Sequence, residues 1–91
     1  MMSLRQNSPN PFRAGTTLRF ETLAAGEATL AVYNVQGRLI RTLAAGFTRP
    51  GMHECYWDGK DELGVDVAAG VYLYRLTLGE EEETRKMILV R

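Results

Sequence analysis

Residue types that support catalysis or crosslinking are scarce in this chain of 91 residues. Cys55 is the only cysteine, so no disulfide can form within the chain. His53 is the only histidine, and the two serines, Ser3 and Ser8, lie near the start. A catalytic triad needs a nucleophile, a base and an acid held together, and a structural zinc site needs four ligands. A Cys–His dyad on one strand is conceivable, but Trp57 shares that strand face, which indicates a core. The sequence therefore favours neither an enzyme nor a zinc protein.

Excess charge and long hydrophobic runs are also absent. Lys plus Arg and Asp plus Glu both number 11, which gives a formal net charge of zero. Nucleic acid binding depends on clustered positive charge, as does attraction to an anionic membrane surface, so neither is predicted. No apolar run is long enough for a membrane span or the core of a signal peptide. If the protein is exported, we expect its signal on sequence beyond these residues. No cofactor is predicted.

The chain does contain repeated alternation of apolar and polar residues, which is typical of half-buried β-strands. Leu18 and Phe20 alternate with polar residues, and so do Leu30 and Val32. Turn residues such as those of Asn34–Gly37 separate the alternating segments. No segment has a sustained helical period. The alternating segments are residues 16–21, 29–33, 38–43, 52–57, 71–78 and 84–90.

This pattern predicts an all-β fold, an antiparallel β-sandwich of about seven short strands. Two sheets would bury their apolar faces against each other, and buried tyrosines could direct their hydroxyls to loop backbone. The two prolines near the start each favour an extended preceding residue. We therefore divide the chain into an extended leader, residues 1–12, and a sandwich domain, residues 13–91. The large side chains predicted to fill the core are Phe20, Trp57, Tyr72 and Tyr74.

Three aspartates lie close together in a glycine-containing segment, which raises the hypothesis of a calcium site. An EF-hand loop beginning at Asp58 would need an oxygen ligand at its third position and a glutamate at its twelfth. Those positions hold Lys60 and Ala69, so the spacing fails. We favour a structural interpretation, in which Asp58, Gly59 and Asp61 shape turns.

Two other features have both a binding and a structural interpretation. The tyrosines could stack on sugar rings, but alternate tyrosines on a strand, such as Tyr72 and Tyr74, more often face a core. The acidic run Glu80–Glu83 is predicted to be a solvated hairpin tip, which is weak evidence for any partner.

Five segments occur in a recognisable order: QNSPNPF, TTLRF, VYNVQGRLIRTL, GMHECYWDGKDELGVDVAAGVYLYRL and TRKMILV. In that order they resemble the C-terminal sorting domains of the type IX secretion system (type A). They also resemble the closely similar Ig-like domain of the flagellar hook-capping protein. The resemblance extends from Leu4 to Arg91 and implies an Ig-like β-sandwich. The positions that match family motifs are Asn10, Pro11, Phe12, Gly37, Arg38, Trp57, Asp58, Gly59, Gly70, Val71, Tyr72, Tyr74, Lys86 and the apolar residues Met87–Val90.

The resemblance implies a non-catalytic sorting or anchoring domain at the end of a larger secreted protein. Its implied partners are the outer-membrane secretion machinery and a covalently continuous upstream cargo domain, and its implied location is secreted or at the cell surface. Because no cargo precedes Met1, we expect this chain to be an excised domain. The candidate recognition residues are Gly70, Tyr72, Lys86, Met87, Ile88, Leu89 and Val90. A terminal strand could present its edge for strand addition by a partner.

Two alternatives remain open at this point. The first is a structural Ig-like scaffolding module, as in the flagellar hook cap or between domains of an extracellular enzyme. The second, less favoured, is a carbohydrate-binding accessory domain. The sequence does not distinguish a terminal strand paired within the domain from one exchanged with another copy.

Overall fold

A computed structural model describes residues 1–91 and shows seven strands in two sheets packed face to face. The strands are β1 (Met2–Leu4), β2 (Thr16–Thr22), β3 (Gly26–Asn34), β4 (Leu39–Thr48), β5 (Gly51–Trp57), β6 (Gly70–Leu78) and β7 (Glu81–Leu89). One sheet has the order β1-β2-β5 and the other the order β4-β3-β6-β7, with neighbouring strands antiparallel. The predicted all-β, Ig-like sandwich is confirmed. The structure contains no helix that could span a membrane.

The core lies between the sheets and consists of the alternate residues that the sequence pattern indicates. Trp57 is fully buried, and the rings of Phe12 and Tyr72 meet its indole edge-on, with centroids 5.7 and 5.4 Å away. The indole N–H donates to the Lys60 carbonyl at 2.9 Å, so the polar edge of this side chain is satisfied as well. The predicted core residues Phe20, Trp57, Tyr72 and Tyr74 are all buried.

Within the predicted leader, residues 1–12, only Met2–Leu4 is a strand, and residues 9–11 bend. The leader also packs as part of the sandwich, so the structure differs from the boundary predicted at residue 13. Met2–Leu4 pairs with β2 as an edge strand. Leu4 and Phe12 are buried, and so is Asn7, whose side-chain amide donates to the Thr16 hydroxyl at 3.0 Å. A strand of three residues is too short to show alternation, and the two prolines interrupt the rest of the leader. The sequence pattern therefore places the boundary at residue 13, whereas the packing includes the leader.

The Tyr74 hydroxyl joins the leader to β6. It accepts a hydrogen bond from the Asn7 backbone N–H at 2.9 Å and donates to the Arg5 carbonyl at 2.7 Å. Burial of this phenol raises its pKa, a shift that the Asn7 hydrogen bond partly opposes. The hydroxyl thus fulfils the sequence expectation that a buried tyrosine ring can bond to loop backbone.

Tyr74→Phe is expected to lower the free energy of unfolding by about 1–3 kcal/mol, because it leaves the buried Asn7 N–H without a partner. Urea denaturation of both proteins measures the difference. The matched control is Tyr33→Phe, since Tyr33 is only partly buried and packs its ring beneath Arg75. The control should change stability by less than about 0.5 kcal/mol. Equal losses in the two variants would contradict the assigned role of the Tyr74 hydroxyl.

Candidate functional site

The predicted recognition residues of the terminal strand divide into two sets with opposite orientation. Met87 and Leu89 point inward and are fully buried in the core. Lys86 and Ile88 point outward and are exposed. Val90 lies just beyond β7 and is partly buried. Only the outward set can touch a partner, so the inward residues can serve recognition only by maintaining the fold.

The two predicted recognition residues of β6 have different positions. Gly70 begins the strand, is exposed, and has φ 151°, a conformation that side chains rarely adopt. Tyr72 is buried, and its hydroxyl donates to the Ala68 carbonyl at 2.6 Å. Because both Tyr72 and Tyr74 face the core, the structural interpretation of the alternate tyrosines is confirmed.

The outward residues of β7 belong to a surface that is mostly apolar and includes the cation Lys86. On β6, Val71 lies opposite Ile88 of β7, and Leu73 lies opposite Lys86. On its other side, Leu73 lies opposite Tyr33 of β3. Val71 and Ile88 are both exposed. A solvent-facing side of an antiparallel sheet is usually polar, so this composition suits contact with another molecule. We call Val71, Leu73, Lys86 and Ile88 the terminal-strand face.

The free edge of β7 is already occupied by the chain's own leader. Phe12 donates its N–H to the Ile88 carbonyl at 3.0 Å and accepts from the Val90 N–H at 2.8 Å, in a parallel bridge with Leu89. The Asn10 side-chain oxygen accepts from the Ile88 N–H at 2.9 Å. β7 is an edge strand of its sheet, as a terminal strand open to addition would be. Its backbone near residue 88 is paired, however, so a partner strand could add there only after the leader left.

The Asn-Pro-Phe motif thus has a structural role in this fold. Asn10 and Phe12 hold the terminal strand through their hydrogen bonds to Ile88 and Val90, and Phe12 also packs on Trp57. Pro11 between them is exposed and has no N–H to donate.

The Gly37-Arg38 motif belongs to the turn between β3 and β4. Gly37 has φ 85°, which a residue with a side chain rarely adopts. The Asn34 side-chain oxygen accepts from the backbone N–H groups of Gln36 and Arg38 at 3.0 and 2.9 Å. These bonds fix the turn, and the Arg38 side chain is exposed.

Asp58 and Asp61 shape the long connection between β5 and β6, as the structural interpretation predicted. The Asp58 carboxylate accepts from the Lys60 N–H at 3.1 Å, and Gly59 between them has φ 77°. The Asp61 carboxylate accepts from the Val65 N–H at 3.0 Å. Both carboxylates therefore replace backbone acceptors in turns.

The third aspartate of this connection is paired with cations. The Asp66 carboxylate lies 3.1 Å from the Lys60 ammonium and 3.9 Å from the Arg91 guanidinium. The hydrogen bond and charge of Lys60 lower the pKa of Asp66. Arg91 also donates to the Val67 carbonyl at 2.8 Å, which ties the last residue to this connection.

His53 and Cys55 are partly buried on the core-facing side of β5. The imidazole stacks on Phe20, with ring centroids 5.2 Å apart, and its Nε2–H donates to the Arg49 carbonyl at 2.7 Å. Burial, and to a smaller extent the charge of Glu54, raises the pKa of the Cys55 thiol. An activated cysteine has a lowered pKa, so this environment is that of a packing residue.

The acidic run at the β6–β7 hairpin is only partly a tip. Gly79 and Glu80 form the turn, whereas Glu81–Glu83 lie within β7. The Glu83 carboxylate accepts from the Leu4 N–H at 2.6 Å, so it also joins the two sheets. Sequence reasoning missed this contact because the two residues lie far apart in the chain.

The fold and these side chains define a structural Ig-like β-sandwich module. The chain belongs to the FlgD Ig-like domain family, since the family model matches residues 6–82. The hook-capping part of the resemblance is thereby confirmed, and the sorting-domain part remains a prediction.

Curated relatives include the basal-body rod modification protein FlgD of Salmonella typhimurium, which is 38% identical over 53 residues. The alignment covers 58% of this chain and 23% of that protein, so the chain spans less than a quarter of the length of this relative.

Solved structures with the same fold come from two kinds of protein. Dimeric latent PorU from Porphyromonas gingivalis has a TM-score of 0.77 and 25% identity, and the match covers 99% of this chain and 9% of PorU. PorZ of the same organism, a surface component of the type-IX secretion system, has a TM-score of 0.68 and 23% identity, over 98% of this chain and 12% of PorZ. FlgD from Xanthomonas campestris has a TM-score of 0.65 and 18% identity, over 96% of this chain and 64% of FlgD.

Proposed function

We propose that this chain is a non-catalytic sorting or anchoring module that directs a larger secreted protein through the outer-membrane type IX secretion machinery to the cell surface. The observation that supports this most is the likeness to PorU, which extends over nearly the whole of this chain. The matched part is a small fraction of PorU and of PorZ, as expected for a module within a larger protein.

On this proposal the module is secreted or at the cell surface. Its partners are the secretion machinery and a covalently continuous upstream cargo, and it needs no cofactor. The machinery would contact the exposed terminal-strand face, because the candidate residues Tyr72, Met87 and Leu89 are inside the core. An apolar surface that includes one cation can provide both buried area and orientation in a complex.

Charge and polarity changes on this face are expected to reduce export without unfolding the domain. The double substitution Lys86→Glu and Ile88→Asp should lower the amount of a fused reporter at the cell surface by about tenfold, the effect of losing about 1.4 kcal/mol of binding free energy. The measurement is surface reporter fluorescence in a bacterium that has a type IX secretion machinery, with thermal unfolding of the purified domain alongside.

The matched control changes the same outward face of β7 farther along the strand. Glu82→Lys with Thr84→Asp alters two exposed residues outside the terminal-strand face and should leave export unchanged. Equal export by the two folded double variants and the unaltered domain would reject this face as the recognition surface. Deleting residues 86–91 is a poor test, since it removes the core side chains Met87 and Leu89.

The family match favours one alternative, a structural Ig-like scaffolding module of the hook-cap kind. The Xanthomonas campestris FlgD structure is described in terms of hook capping essential for flagellar assembly. A scaffolding role predicts that a signal-peptide-bearing reporter reaches the same compartment with or without this domain. The sorting role predicts that the reporter stays in the periplasm when the domain is absent.

A further inference from the structure

The two sheets have four edge strands: β1 and β5 in one sheet, β4 and β7 in the other. An edge strand presents unpaired N–H and C=O groups. Proteins usually cover such an edge, interrupt it with a bulge or proline, or place charged side chains on it. In this fold the edges of β1, β4 and β7 are covered or interrupted, and the edge of β5 is not.

One side of the sandwich is sealed by contacts between β1, β7 and the leader. The leader covers β7 near residue 88 through Phe12. On β1, Leu4 donates its N–H to the Glu83 carboxylate at 2.6 Å and accepts from the Arg85 guanidinium at 2.7 Å. The outward backbone groups of Leu4 are therefore satisfied by side chains of the opposite sheet.

The edge of β4 is partly covered and irregular. The Glu62 N–H donates to the Ile40 carbonyl at 3.1 Å, and its carboxylate accepts from the Thr42 N–H at 2.9 Å. The pairing of β4 with β3 contains two register shifts, and Gly46 has φ 135°. Bulges and kinks of this kind oppose the addition of a regular strand.

The edge of β5 is regular and bare. Its seven residues pair with β2 from Gly51 to Trp57 without a register shift. Beyond that ladder, the backbone of residues 51–57 makes no hydrogen bond. The strand also contains no proline and no lysine, and Glu54 is its only carboxylate.

The backbone groups that face this edge follow from the pairing of β2. Arg19 accepts from the Arg5 N–H at 2.9 Å, so its backbone groups point toward β1 and away from β5. In an antiparallel ladder the residue opposite Arg19, which is Glu54, must then direct its N–H and C=O outward. The same alternation applies two residues away on either side, at Met52 and Tyr56. These three residues offer their backbone donors and acceptors to solvent.

We propose that the bare edge of β5 is a strand-addition site for an extended segment of another protein. The side chains of Met52 and Tyr56 are 53% and 63% exposed, and they flank Glu54 on the outer face. Glu54 is held there by Arg19, 3.1 Å from its carboxylate. The segment that fits has a cationic side chain opposite Glu54 and apolar side chains opposite Met52 and Tyr56, since directly opposed strand residues interact as pairs.

A second copy of this chain fits the edge poorly. Antiparallel pairing of β5 with itself over its whole length is centred on Glu54, which places two carboxylates directly opposite each other. Shifted registers avoid that repulsion but shorten the ladder. The charge therefore favours a different chain with the opposite sign at this position. The inference does not rest on the secretion proposal, because it uses only the edge and its side chains.

The test is a titration of the isotope-labelled full chain with a synthetic peptide of about nine residues, the length of a long strand, made of valine and threonine with a central arginine. We expect the peptide to shift the backbone amide NMR signals of Met52, Glu54 and Tyr56. Glu54→Lys should weaken binding of the arginine peptide about fivefold. The same variant should bind more tightly a peptide in which glutamate replaces the central arginine. Glu54→Pro should abolish binding, because it removes an outward N–H that the β2 ladder does not use.

The control is Glu21→Lys, a charge reversal on the same outer face whose backbone points toward β1 rather than the free edge. It should leave peptide binding unchanged. If Glu54→Pro unfolds, the comparison of Glu54→Lys with Glu21→Lys decides the question. The proposal is overturned if the unaltered chain does not bind the peptide, if the shifts map to another edge, or if a folded Glu54→Pro variant still binds. A concentration-dependent dimer that is lost in a folded Glu54→Pro variant would overturn the choice of partner in favour of a second copy.

Discussion

Trp57→Ala is expected to lower the free energy of unfolding by about 3–5 kcal/mol, the range for truncating a large aromatic residue in a core. The indole is fully buried between the two sheets, where Phe12 and Tyr72 meet it edge-on. Its loss leaves a cavity and removes the hydrogen bond to the Lys60 carbonyl that shapes the following turn. Since small domains are stable by about 5–15 kcal/mol, this single change should remove much of the total. Urea denaturation followed by circular dichroism measures it.

Two variants separate the contributions of the ring and of its N–H. Trp57→Phe retains most of the apolar contact but leaves a partial cavity and removes the indole hydrogen bond to the Lys60 carbonyl, which still accepts from the Arg41 guanidinium at 3.3 Å. An intermediate loss of about 1–3 kcal/mol is therefore expected. Phe47→Ala truncates an aromatic residue that is 68% exposed, and it should change stability by less than about 0.5 kcal/mol. If Trp57→Ala were no more destabilising than Phe47→Ala, Trp57 would not be the centre of the core.

Phe12→Ala is expected to have an effect of similar size, about 3–5 kcal/mol, although it lies in the segment that the sequence pattern separates from the sandwich. The Phe12 ring is buried against Trp57, and its backbone holds the edge of β7 through two hydrogen bonds. The substitution leaves the backbone groups that form these two hydrogen bonds, but it removes the buried ring that holds them in position. Hydrogen exchange at the Ile88 and Val90 amides should become faster as the leader loosens.

Arg13→Ala is the matched control for this prediction, because Arg13 is the exposed neighbour of Phe12. It should leave both stability and amide exchange unchanged. A Phe12→Ala variant as stable as Arg13→Ala would mean that the leader is not part of the folded unit and that the boundary at residue 13 is correct.

Much of the core could be predicted from the sequence because a strand presents its side chains alternately to its two faces. Tyr72 and Tyr74 on one strand and Leu18 and Phe20 on another follow this rule and are buried. The leader could not be placed in the same way. Its burial depends on contacts such as Asn7 with Tyr74, which connect residues far apart in the chain and have no local signal.

The candidate site was predictable in part for the same reason. The alternation in Thr84–Val90 identifies Met87 and Leu89 as inward and Lys86 and Ile88 as outward, and the structure agrees. The state of each strand edge was not predictable, since it depends on strand order and on which segments lie beside each edge. The sequence directs attention to the edge of β7, whereas the structure shows that edge paired with Phe12 and the edge of β5 bare.

The central claim, that the domain is a sorting module, is tested most directly by the location of a reporter. A fluorescent protein with a signal peptide and this chain at its C-terminus would be expressed in two otherwise identical bacteria, one with and one without a type IX secretion machinery. The account predicts reporter at the cell surface only where the machinery is present. Reporter retained in the periplasm of both strains, with the fused domain folded, would contradict it and would favour the scaffolding role.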